Sequence, residues 1–170
     1  NNLSHAKMTA EMMGKLDDII KIEKPDTTLV FGDTNSTLAA SLVSAKQHVP
    51  IAHVESGLRS YNRRMPEEIN RILTDHISKY LFCPNENSVC NLEKEGIINS
   101  HSTLVQNVGD VMFDLAKLVS ERHRLDNNKS NEKYILCTVH RQENTDNPER
   151  LKNIFSALNE LSKKYIVILP

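Results

Sequence analysis

Apolar residues Met8, Met12, Leu16, Ile19 and Ile20 recur at three- and four-residue intervals, which predicts an amphipathic helix ended by Pro25-Asp26. Residues 27–31 (TTLVF) are β-branched and apolar and predict a short strand that stops at Gly32-Asp33. Helical spacing returns over 35–46 through Leu38, Ala39, Leu42 and Val43, and residues 50–54 (PIAHV) predict a second strand. A helix opening at Pro66 carries Ile69, Ile72, Leu73 and Ile77 on one face, and Glu67, Arg71 and Asp75 on another. Strands over 80–83 and 103–108 bracket a helix over 87–95 that Gly96 stops, and Asp110 caps a helix over 111–122.

From Arg124 to Lys133 the only apolar residue is Leu125, which marks a linker over 124–133. A strand over 134–139, a helix opening at Asn147-Pro148 and a strand over 165–169 follow. Alternation of this kind predicts an α/β fold, a Rossmann-like doubly wound parallel sheet. The expected organisation is a first domain over 1–123, the linker, and the start of a second domain over 134–170. The second segment holds too few elements for a stable domain, so the sequence is expected to be part of a longer protein.

Composition removes several classes of function. The 170 residues carry 21 Lys and Arg against 22 Asp and Glu, a formal charge of -1, so no field favours nucleic acid or anionic lipid. No apolar run approaches the length of a membrane span. The three cysteines, Cys83, Cys90 and Cys137, match no zinc or redox spacing and suggest a reducing compartment. Dinucleotide, Walker and serine-hydrolase fingerprints are missing from the sequence, and neither a metal nor a cofactor is expected.

The chemistry concentrates between two apolar segments, in HVESGLRSYNRRMPEEINR, residues 53–71. Asp33 stands where a strand meets a helix, either as a helix cap or as an acid in the crevice beyond the strand ends. Glu55 follows a strand of Ile, Ala and Val, and period-two alternation turns it the same way as His53. It is either paired with Arg59 or Arg71, or reactive. Glu67 and Glu68 lie in a helix's first turn, which favours carboxylates. Two acids in unlike surroundings are how one site obtains a general acid and a general base. His140-Arg141, at a later strand end, could hold a diphosphate by charge-assisted hydrogen bonds.

The stretches GDTNSTLA (32–39), HVESGLRS (53–60), RRMPEEINRILTDHIS (63–78), NVGDVMFD (107–114) and TVHRQEN (138–144), in that order, resemble the non-hydrolysing UDP-N-acetylglucosamine 2-epimerases. The resemblance covers nearly the whole chain. It implies a glycosyltransferase-B-like architecture of two Rossmann-like domains, the second only begun, in a cytoplasmic homodimer. It also implies a UDP-sugar substrate, with neither nucleic acid nor membrane as partner. The activity implied is inversion of C2 of a UDP-2-acetamido sugar, UDP-GlcNAc to UDP-ManNAc, for bacterial surface polysaccharide.

By resemblance Asp33, Glu55, Glu67 and His140 are catalytic, and Arg59, Asn70, Arg71, Arg141 and Glu143 bind substrate. The family's first strand and its later serine-glycine-glycine stretch are not in these residues, so the chain alone is expected to be inactive. Ser56 stands where the family usually has alanine; its hydroxyl either bonds Glu55 or is tolerated as a small group. Alternatives are a C2 epimerase of a 6-deoxy sugar on the N-acetylfucosamine route, a hydrolysing epimerase, a glycosyltransferase of the same fold and a non-catalytic nucleotide-sugar-binding domain.

Overall fold

The computed structural model of the chain describes residues 3–123 and 133–170. It divides into two units, Asn1–Glu121 and Arg122–Pro170. The linker expected over 124–133 lies outside the described residues except for Lys133.

The first unit runs α1 (His5–Glu23), β1 (Thr28–Phe31), α2 (Asn35–Lys46), β2 (Ile51–Val54), α3 (Pro66–Ile77), β3 (Tyr80–Cys83), α4 (Glu86–Lys94), β4 (Leu104–Asn107) and α5 (Val111–His123). The alternation expected from periodicity is therefore observed. Side-chain oxygens of Ser4, Thr34 and Asn85 cap α1, α2 and α4, while α3 begins on Pro66 with no side-chain cap. The strands form one parallel sheet in the order β1-β2-β3-β4.

Consecutive strand order with right-handed crossovers places α2, α3 and α4 over one face. The row Val30–His53–Leu81–Val105, in register across the sheet, is buried. Leu81, Cys83, Leu92 and Val105 make a core against α4, joined by Val89 and Ile97. Residues of the alternate rows are more open, with Leu29, Phe31 and Leu104 exposed by 54%, 58% and 42%. His53 is thus a polar residue set into the apolar row that faces the helices.

The second unit holds β5 (Tyr134–Leu136), a short α6 (Gln142–Thr145), α7 (Pro148–Ser162) and β6 (Ile166–Ile168), with β5 and β6 parallel. Asn147 caps α7 as its Asn-Pro start predicts. β5 is shorter than the strand expected over 134–139, although the Cys137 N–H still donates to Ile168 O at 3.0 Å. α6 was not foreshadowed by periodicity, since four residues are too few to show one. Among the described residues no helix is long and apolar enough to cross a membrane.

Candidate active site

The site begins where β1 and β2 end. Gly32 turns the chain at φ +62°, its N–H donating to Val54 O at 3.1 Å. Thr34, not Asp33, accepts from the Thr37 N–H and caps α2. Asp33 is thereby released from the capping role its position allowed, and α3 fixes it twice. Asn70 Nδ2 donates to the Asp33 carbonyl at 2.9 Å, and Arg71 Nη2 donates to Asp33 Oδ2 at 2.6 Å.

Glu55 is the first residue past β2 and sits at φ +73°, a left-handed conformation that costs a side-chain-bearing residue roughly 1–2 kcal/mol. Backbone bonds hold it there: the Glu55 and Ser56 N–H groups both donate to Phe82 O, at 3.0 and 3.1 Å. Its Oε2 lies 3.3 Å from where a β-carbon on Gly32 would stand, so only glycine leaves that carboxyl its full room. Burial pushes the Glu55 pKa up, the negative charges of Asp33 and Asp110 push the same way, and His53 and Arg71 oppose them. Strained backbone and raised proton affinity coincide in this one residue.

Asp33, Glu55 and Asp110 follow the carboxyl ends of β1, β2 and β4, the edge at which parallel sheets handle ligands. Asp110 also accepts from the Met112 N–H at 2.8 Å, as the helix cap expected of it. Nothing in its spacing announced a second role.

The paired acids of α3 divide their labour. Glu68 is buried and accepts from the Ser60 and Tyr61 N–H groups at 2.9 and 2.7 Å, tying the loop between β2 and α3 to the helix. Burial alone would raise its pKa, but those bonds and Arg71, 3.3 Å away through Nη1, bring it below the ordinary value. Glu67 is half-buried, and among the described residues its carboxylate has no hydrogen bond or ion pair. Arg71 bridges Asp33 to Glu68.

A chain of alternating charges lies behind the site. His53 Nδ1 meets Asp75 Oδ1 at 2.7 Å, and its Nε2 meets Gly32 O at 2.8 Å. Asp75 Oδ2 accepts from the Gly57 N–H at 3.1 Å and from Arg59 Nη1 at 2.7 Å. Arg59 then forks onto both oxygens of Glu95, each at 2.7 Å. The Arg59 side chain is 1% exposed; burial works against its charge, but Glu95 and Asp75 outweigh it and hold the guanidinium charged. The alternation argument brought His53 and Glu55 to one place, yet Arg59 pairs with Asp75 and Glu95 rather than with Glu55.

Gly57 anchors this chain at φ +77°, because a β-carbon there would stand 2.4 Å from the Ser88 carbonyl oxygen of α4. Ser56 Oγ lies 3.4 Å from Cys83 Sγ in a buried contact, so its hydroxyl is turned into the core. Of the two expectations for Ser56, this geometry fits a tolerated small residue.

In the second unit His140, Arg141 and Glu143 are exposed and follow the carboxyl end of β5. Arg141 O accepts from the Asn144 and Thr145 N–H groups, which sets the start of α6, and Glu143 O accepts from Arg150 Nη1 at 3.4 Å. A depression of 640 Å³ lined by Lys133, Lys163, Tyr165 and Ile166 opens at the other end of this two-stranded sheet. Among the described residues no group of His, Cys, Asp and Glu side chains could hold a metal ion.

The profile of the family described as UDP-N-acetylglucosamine 2-epimerase matches residues 1–170. The UDP-2,3-diacetamido-2,3-dideoxy-D-glucuronate 2-epimerase of Pseudomonas aeruginosa is 50% identical over 169 residues, which cover 98% of this chain and 48% of that protein. The UDP-N-acetylglucosamine 2-epimerase of Methanocaldococcus jannaschii is 42% identical over 167 residues, 95% of this chain and 46% of that one. A crystal structure of the M. jannaschii UDP-GlcNAc 2-epimerase with UDP-GlcNAc and UDP superposes with a TM-score of 0.85 at 41% identity, over 99% of this chain and 48% of its own. The Neisseria meningitidis enzyme bound to UDP-GlcNAc gives a TM-score of 0.80 at 36% identity, with 99% and 48% covered. The chain spans about half the length of the curated relatives it matches. With its whole length matched, this chain belongs to the UDP-N-acetylglucosamine 2-epimerase family.

Proposed function

We propose that the protein inverts C2 of a UDP-2-acetamido sugar by eliminating and re-adding UDP. The observation that carries this reading is Glu55, an acid of raised proton affinity on a strained backbone, set beside an Asp33 that Arg71 pairs. The C2 hydrogen of such a sugar has no adjacent carbonyl, so simple deprotonation is too costly. When the C1–O bond breaks and UDP leaves with the electron pair, positive charge at C1 acidifies C2–H. Loss of that proton gives a 2-acetamidoglucal. UDP then re-adds at C1 while a proton reaches C2 from the opposite face.

Two opposed proton-transfer groups are required. Glu55, whose proton affinity is raised, is the acid of the pair. Glu67 is the base, because Glu68 is committed to the Ser60–Tyr61 backbone while the Glu67 carboxylate is uncommitted in the first turn of α3. Asp33 assists, and Asn70 and Arg71 hold it. By the family resemblance His140, Arg141 and Glu143 bind the diphosphate and nucleotide. Arg59 acts through Asp75 rather than on substrate, since its side chain is enclosed. The reaction belongs to the protein in its full reading frame, a cytoplasmic homodimer of two domains on this account.

One observation favours a sugar that carries a carboxylate. Arg63 and Arg64, exposed in the loop before α3, carry no acidic partner among the described residues and suit an anionic substituent. Product analysis of the full-frame protein with UDP-GlcNAc and with the uronate separates the two substrates. Inversion of neither sugar would refute the reading.

A further inference from the structure

His53 lies in the buried row between Val30 and Leu81, with no exposed surface. Both ring nitrogens meet oxygen at short distance: Nε2 to Gly32 O at 2.8 Å and Nδ1 to Asp75 Oδ1 at 2.7 Å. A backbone carbonyl can only accept, so Nε2 carries a hydrogen. Asp75 Oδ2 already accepts from the Arg59 guanidinium and the Gly57 N–H, an arrangement that suits a carboxylate and leaves Oδ1 an acceptor. Nδ1 therefore carries a hydrogen too. Turning the ring over would set carbon atoms against both oxygens, so no other ring orientation satisfies the two contacts.

We infer that His53 is a buried imidazolium, a positioning residue that clamps the Gly32–Asp33 turn to α3 and places a fixed positive charge behind Glu55. Charge runs Glu95 negative, Arg59 positive, Asp75 negative and His53 positive, so each ion touches its opposite and the chain of four sums to zero, with Glu95 at its exposed end. A neutral ring would leave one of two acceptors facing a lone pair, in a place where water does not reach.

The clamp has two consequences at the site. It fixes the Gly32 carbonyl and, through the next residue, sets Asp33, whose carbonyl Asn70 holds and whose carboxylate Arg71 holds. It also enters the balance on Glu55, where burial, Asp33 and Asp110 favour the proton while His53 and Arg71 oppose it. The cation thereby keeps the acid able to give up its proton as well as hold it. Only this second consequence rests on Glu55 as the acid of the proposed reaction; the protonation state stands apart from it.

Nitrogen-15 spectra of the histidine rings in the full-length protein at pH 7.5 test the protonation state without any substitution. The expected result for His53 is two protonated ring nitrogens with slowly exchanging hydrogens. A neutral ring with a single protonated nitrogen would overturn the inference. Carbon-13 spectra of the glutamate carboxyls test the effect on Glu55 in the wild type and in His53→Gln or, if that variant does not fold, Asp75→Asn, which lets Nδ1 accept and the ring become neutral. Glu55 is expected to titrate at higher pH in the variant, and an unchanged titration would refute the proposed influence. Neither readout uses a substrate, so a failure of the proposed epimerase reaction would show separately, as unchanged sugar.

Discussion

Replacing Asp75 by asparagine removes one negative charge and almost no volume from the centre of the buried ion chain. The Asp75 and His53 side chains have no exposed surface and Arg59 has 1%, so solvent cannot make good the loss. Breaking a buried pair by removing one partner costs about 3–5 kcal/mol. The asparagine oxygen can still accept from Arg59 and Gly57, its amide can donate to a neutral His53, and Arg59 keeps its fork on Glu95. Those compensations place the expected loss at the low end, about 3 kcal/mol, or roughly a hundredfold in the opening equilibrium.

Cys83 reports that opening from within the first unit, because it is buried beside Ser56 while Cys90 is exposed and Cys137 half-buried. Thiol labelling followed by peptide mass analysis separates the three sites. Under conditions where closing outruns labelling, Cys83 in Asp75→Asn should label about a hundredfold faster than in wild type. A change of less than about fivefold, near 1 kcal/mol, would show that the ion chain does not hold the unit together.

Three further substitutions probe other parts of the site. Gly57→Ala places a methyl group 2.4 Å from Ser88 O at φ +77° and should cost more than the roughly 1–2 kcal/mol of the backbone conformation alone, with Cys83 labelling again the readout. Glu68→Gln replaces an anion that accepts two loop N–H groups and should cost about 1.5–3 kcal/mol at pH 7 in urea titration. Because the folded Glu68 pKa is lowered, this contribution is present above the ordinary glutamate value and fades as pH falls through the folded one, so wild type and variant should converge in acid. Ser56→Ala loses only a weak contact to Cys83 and should cost less than about 1 kcal/mol in the same titration, leaving the pH profile of activity unmoved.

Much of this was legible because it is local. The strand over 80–83, the helix over 35–46 and the helix opening at Pro66 follow from apolar period, capping residues and proline, and each lies where those signals place it. Asp33 and Glu55 stood out because an acid at the end of an apolar strand needs a reason. What stayed hidden depends on pairings across the fold. Asp75 looked like one of a charged helical stripe, and only the sheet register sets it against a histidine twenty-two positions earlier. Asp110 looked like a cap and is one, while its effect on Glu55 comes from the end of β4, two strands across the sheet from β2. Arg59 was expected by resemblance to bind substrate, yet two acids, from α3 and the end of α4, pair with it. The split between Glu67 and Glu68 could not come from identical side chains in adjacent positions; the loop N–H groups decide it.

The most direct test of the proposed reaction follows the C2 hydrogen. In deuterated water the full-frame protein, supplied with the UDP-2-acetamido sugar it inverts and no added cofactor, should place solvent deuterium at C2. Glu55→Gln should still bind the UDP-sugar and lose that exchange by at least about a hundredfold, as expected when a proton-transfer group is removed. Inversion of C2 with the original hydrogen retained, or wild-type exchange in Glu55→Gln, would contradict the account.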